Sequence, residues 1–105
     1  MKPASGERKR DILINGLELN ELHRFDWLMA ESYGLECRIA NYKGTRSIGL
    51  WRWDIDCLVE TIESVLDDPE FYRSHKTPGY LAIKALRDRL EIEGKALYAE
   101  ITGKH

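Results

Sequence analysis

Cysteine is scarce in this chain. Cys37 and Cys57 are the only two, without CxxC spacing or the companions that a disulfide scaffold needs. Reduced thiols and a cytoplasmic address are therefore expected. Long apolar runs are also missing. No segment approaches the ~18 consecutive apolar residues that a membrane span requires, so no membrane partner is expected. The basic start MKPASGERKRD is not followed by the apolar core of a secretory signal.

Charge of one sign is lacking too. Sixteen Lys and Arg face eighteen Asp and Glu, a net charge of −2, which gives no overall attraction to nucleic acid. Catalytic signatures are absent. His23, His75 and His105 have no HxxxH partner and no nearby Cys or carboxylate set at metal-ligand spacing. There is no nucleophile elbow, phosphate loop or dinucleotide fingerprint. Cys57 would sit near a helix start, but Asp54 and Asp56 oppose any fall in its pKa. The expectation is a protein that is not an enzyme and uses no cofactor and no metal.

What is present begins with the stretch from Glu36 to Asp54, ECRIANYKGTRSIGLWRWD. It holds two of the three tryptophans and four basic residues, with no acid between its ends. Gly44-Thr45 suits a two-residue turn with positive φ at the first position, so the stretch is expected to form a β-hairpin over about residues 36–53. Closing there sets Ile39 opposite Leu50 and Arg38 opposite Trp51, where a guanidinium can lie against the indole. Strand alternation then separates two faces. Cys37, Ile39, Asn41, Ile48, Leu50 and Arg52 share one, the aliphatic side. Arg38, Ala40, Tyr42, Ser47, Gly49, Trp51 and Trp53 share the other. Trp51 and Trp53 are either core residues or, beside Arg38 and Tyr42, the centre of an interface.

Three main helices are expected, over about 19–33, 54–68 and 77–102. In the first, Leu22, Phe25, Met29 and Tyr33 recur every three or four residues, Asn20 serves as cap, and Trp27 falls on a flank, either half-buried against a neighbouring element or part of a contact surface. Ile12-Leu13-Ile14 ahead of it reads as a third strand on the hairpin, or as one that returns at the tight turn Asn15-Gly16. In the second helix Asp54 is the cap, and Ile55, Leu58, Val59, Ile62, Val65 and Leu66 form one stripe. Its outer surface is acidic, with seven acids and no Lys or Arg from Asp54 to Glu70. In the third, Thr77 caps and Pro78 opens, and Ile83, Leu86, Leu90, Leu97 and Ile101 point inward. Gly94 marks a close approach of another backbone, or a break. Leu81, Ala85, Ile92, Ala96 and Ala99 form a second stripe on the opposite side, which implies a second interface or burial on two sides.

The fold expected is α+β: a two- or three-stranded antiparallel sheet with three main helices packed mainly on one face. Residues 1–10 read as a disordered basic arm and 11–105 as a single domain. The function expected is a non-enzymatic protein–protein interaction module, a small adaptor, regulator or assembly factor. Arg38, Tyr42, Lys43, Arg46, Trp51, Arg52 and Trp53 would bind another protein, or a second copy would engage the outer stripe of the last helix. The alternative is nucleic-acid binding, with the basic residues on phosphates and Tyr42 or a tryptophan on a base. The acidic helix beside the hairpin speaks against it.

Overall fold

The computed structural model describes residues 9–29 and 34–102. The fold is α+β. Strand β1 (Lys9–Ile12) leads to helix α1 (Gly16–His23), a 3-10 turn (Asp26–Met29), helix α2 (Leu35–Asn41), strand β2 (Ile48–Trp51), helix α3 (Arg52–Leu66) and helix α4 (Pro78–Thr102). β1 and β2 form a two-stranded antiparallel sheet that pairs Lys9 with Trp51, Arg10 with Leu50, Asp11 with Gly49 and Ile12 with Ile48.

This pairing corrects the hairpin expected over 36–53. The partner of β2 is the strand at the start of the chain, and the segment expected to be its first strand is helix α2. The reason lies in Leu35 and Ile39. Four residues apart, they fall on one helical face, and both are fully buried. Gly34, at φ 82°, supplies the left-handed turn that admits the helix. Gly44 does take the positive φ expected of it, at 76°, but inside the loop between α2 and β2. Along β2 burial does not alternate cleanly: Leu50 is fully buried, whereas Ile48, expected on the same face, is half-buried like Gly49 and Trp51 on the other.

Residues 1–8 of the expected arm lie outside the described residues. Lys9 and Arg10 belong to β1, and Arg10 pairs with Glu93 at 3.2 Å and with Glu100. The first helix starts three residues earlier than expected because Asn15 is its cap, not a turn residue. Asn15 Oδ1 accepts the Glu18 N–H at 2.9 Å, and Glu18 Oε1 accepts the Asn15 N–H at 3.1 Å. It also ends early. Phe25 and Leu28 donate three residues back, to Leu22 and Phe25, tightening the chain into 3-10 geometry. That keeps Phe25 and Met29 buried and leaves Trp27 58% exposed, which excludes the first of its two expected placements, half-burial against a neighbour. Tyr33 lies outside the described residues.

α3 and α4 are the main packing pair. Ile55, Leu58, Ile62, Val65 and Leu66 from α3 meet Ile83, Leu86, Leu90 and Leu97 from α4, all buried. α3 begins at Arg52, so Asp54 is its third residue and caps by reaching back to the Trp51 N–H at 3.0 Å. Thr77 caps α4 as expected, accepting the Tyr80 N–H at 3.3 Å. Gly94 breaks nothing. A Cβ there would meet Ile55 Cγ2 at 3.1 Å, so the close neighbour is a side chain rather than a backbone. Along the outer stripe, Leu81, Ala85, Ile92 and Ala96 are exposed and Ala99 is half-exposed. Among the described residues no helix is long and apolar enough to cross a membrane.

Candidate partner-binding groove

A shallow groove of about 610 Å³ runs along the side of β2 that faces the end of α2. Lys9 reaches it from β1, Arg38, Asn41 and Tyr42 from α2 and its C-cap, Arg46 and Ser47 from the loop, and Ile48, Gly49 and Trp51 from β2. Four residues expected at one site therefore do meet: Arg38, Tyr42, Arg46 and Trp51. Helix α2 and the loop bring them there, in place of the expected hairpin.

The four play different parts. Arg38 is committed inside the fold. Its guanidinium bonds Asp54 Oδ2 at 2.8 Å and also donates to the Gly49 carbonyl. Asp54 is 0% exposed. Because the same oxygen accepts the Trp51 N–H, one ion pair ties α2 to the entry of α3. Gly49 and Trp51 are two residues apart, so their main-chain groups address one edge of the strand. Arg38 and Asp54 occupy those groups, which closes that edge against a further strand. The expected Arg38–Trp51 stack is thus replaced by an Arg38–Asp54 pair, and Lys9 is the residue opposite Trp51.

Tyr42 is an anchor for the loop. Its hydroxyl donates to the Arg46 carbonyl and accepts the Ile14 N–H at 3.4 Å. Trp51 forms one wall of the groove and stacks on Trp53, with ring centroids 5.7 Å apart and planes inclined by 21°. Both tryptophans are half-buried, between the two expected extremes. Arg46 is exposed at the rim. Lys9, which sequence patterning missed, lays its aliphatic stem over Gly49: a Cβ at Gly49 would come within 2.6 Å of Lys9 Cδ. Glycine at position 49 leaves room for that stem. Lys9, Lys43 and Arg46 have no ion pair among the described residues.

The remaining expected residues lie elsewhere. Lys43 is exposed in the loop and does not line the groove. Arg52 lines a different groove, between α3 and α4, where it pairs with Asp56 at 3.5 Å. Asp56, Glu60 and Glu63 line that second groove as well. No acid lines the basic one, since Asp54 is buried beneath Arg38. The acidic and basic surfaces of the domain are therefore separate.

Among the described residues no three His, Cys, Asp or Glu side chains converge as metal ligands. His23 Nε2 lies 3.1 Å from the Ile39 carbonyl, and His75 stacks on Tyr80 at 4.4 Å. Both cysteines are free. Comparison with protein-family models, with curated proteins and with solved structures finds no match.

Proposed function

We propose that the protein is a non-enzymatic protein–protein interaction module whose β2–α2 groove holds an acidic segment of a partner. One observation carries the reading. Lys9 and Arg46, cations with no ion pair among the described residues, share an open groove with an aromatic wall and no acid. An acidic segment would exchange water for charge-assisted hydrogen bonds to these two, with Lys43 nearby adding long-range attraction. Half-buried Trp51 offers apolar area at low entropic cost. A cytoplasmic setting, in which Cys37 and Cys57 stay reduced, belongs to the same proposal.

Nucleic acid is the competing anion. Magnitudes favour the protein partner. Three uncommitted cations neutralise about three phosphates, whereas double-stranded sites commonly use about six to ten contacts. The net charge of −2 adds a mild repulsion.

The test is fluorescence anisotropy with two labelled probes at low ionic strength: a short Glu/Asp-rich peptide with a central Leu, and a single-stranded oligonucleotide. The peptide is expected to bind, and Lys9→Glu/Arg46→Glu to abolish binding while the melting temperature holds. Binding of the oligonucleotide alone would transfer the groove to nucleic acid and overturn the proposal. So would peptide binding that survives the double charge reversal.

A further inference from the structure

We infer that the outer face of α4 is a homodimer surface, with a two-fold axis passing beside Ile92. This surface shares no residue with the basic groove, so the two proposals stand or fall separately.

The inference starts from the most exposed large hydrophobic side chain among the described residues. Ile92 is 67% exposed at the centre of the outer stripe, between exposed Ala85 and Ala96. It also borders a groove of about 460 Å³ between α4 and the end of β1, where Leu13 is exposed beside it. An apolar ridge flanked by a groove can be filled by a second, identical ridge.

The residues around Ile92 suit that arrangement. A two-fold axis at Ile92, perpendicular to the helix, pairs each position before it with the position equally far after it in the other copy. Ala85 lies seven residues before Ile92 and Ala99 seven after. The axis therefore sets alanine against alanine on both sides of an Ile92–Ile92 contact. Small residues there let two helices approach closely. Asp88 lies four residues before Ile92 and Lys95 three after, on one flank of the helix. The same axis brings Asp88 of each copy to Lys95 of the other. Both are exposed, at 51% and 79% of their side chains. Within one chain they are seven positions apart, and each has its own partner there, Asp88 with Arg87 at 2.8 Å and Lys95 with Glu91 at 3.9 Å, so the pairs across the axis would extend these surface ion pairs.

A second copy fits this face better than an unrelated partner because the face is its own complement in both size and charge. Its footprint sets the strength. With the axis at position 92, positions 82–102 of α4 overlap, about 31 Å of helix, and a face about 10 Å wide buries roughly 600 Å² in total, below the ~1,200 Å² of standard interfaces. Weak association is therefore expected, populated only toward the upper end of about 5 to 500 µM.

Sedimentation equilibrium from about 5 to 500 µM is expected to show a monomer–dimer transition. Ile92→Glu is expected to hold the chain monomeric throughout with an unchanged circular dichroism spectrum. Asp88→Lys is expected to weaken association at least about tenfold, and Asp88→Lys/Lys95→Asp to restore it. In a Cys37→Ser/Cys57→Ser background, Ile92→Cys is expected to form a disulfide-linked dimer under mild oxidation. Leu81→Cys, also exposed, should not, because the axis holds the two Leu81 positions about 30 Å apart. A wild type that stays monomeric to 500 µM overturns the inference. So does a dimer indifferent to Ile92→Glu, or equal cross-linking at positions 81 and 92.

Discussion

Replacing Arg38 by Met separates the fold from the site. Asp54 is fully buried and takes two hydrogen bonds on Oδ2, while Oδ1 has no partner among the described residues. Removing the guanidinium would leave a buried carboxylate held only by the Trp51 N–H. Breaking a fully buried pair from one side costs about 3–5 kcal/mol. Arg38, however, keeps 36% of its side chain in solvent, and water screens part of the attraction. A cost of about 2–3 kcal/mol is expected for Arg38→Met, which would lower the melting temperature by roughly 10–20 °C in a domain of this size. Asp54→Asn retains an acceptor for the Trp51 N–H and leaves a guanidinium that can hydrate, so it should cost only about 1 kcal/mol. The double variant should then be more stable than the sum of the two losses implies, by at least about 1 kcal/mol. Urea unfolding followed by circular dichroism and tryptophan emission measures all three. A loss below about 0.5 kcal/mol for Arg38→Met, or strict additivity in the cycle, would refute the reasoning.

Two further outcomes are expected. Gly94→Val should destabilise by about 1–3 kcal/mol in thermal unfolding, because its first added carbon already meets Ile55 Cγ2 at 3.1 Å and the rest overpacks the α3–α4 seam. Tyr72 is buried and donates to Glu21 at 2.6 Å, and burial first, then that hydrogen bond, push its phenol well above the ordinary value near 10. A raised folded pKa gives stability that is complete below the unfolded value and lost as pH rises past it. The alkaline fall in stability above about pH 10 should therefore flatten in Tyr72→Phe, as read from urea midpoints against pH.

Much of the helical framework could be read from the chain. The stripes Ile55–Leu66 and Ile83–Leu97 persist long enough for a 3.6-residue period to exclude an alternation of two. The short segment Leu35–Asn41 does not. Cys37, Ile39 and Asn41 satisfy a strand, Leu35 and Ile39 satisfy a helix, and seven residues cannot separate the two. Asn15 and Glu18 already carried the signature of a capping box, three residues apart, while the adjacent Asn15-Gly16 also matched a turn. The site was legible in an indirect way. Arg38, Tyr42, Arg46 and Trp51 lie in one stretch of chain, so either conformation of that stretch keeps them near one another. Lys9 was beyond reach, because its place opposite Trp51 depends on a pairing across about forty residues, which local periodicity does not encode.

The Arg38–Asp54 pair also limits how a partner can be held. An exposed strand edge commonly recruits an extended peptide through main-chain hydrogen bonds, which add affinity with little sequence preference. On β2 the Gly49 carbonyl is taken by Arg38, and the Trp51 N–H by Asp54. A peptide adding a strand there would have to displace a buried carboxylate from its guanidinium. Recognition through the proposed groove therefore falls to side chains, to Lys9 and Arg46 for charge and to Trp51 for apolar contact. Interactions of that kind are set largely by encounter rate and are steeply screened by salt. Two classes of basic residue then respond differently to charge reversal. Changing Arg38 should unfold the site, whereas changing Lys9 or Arg46 should empty it while leaving the fold intact.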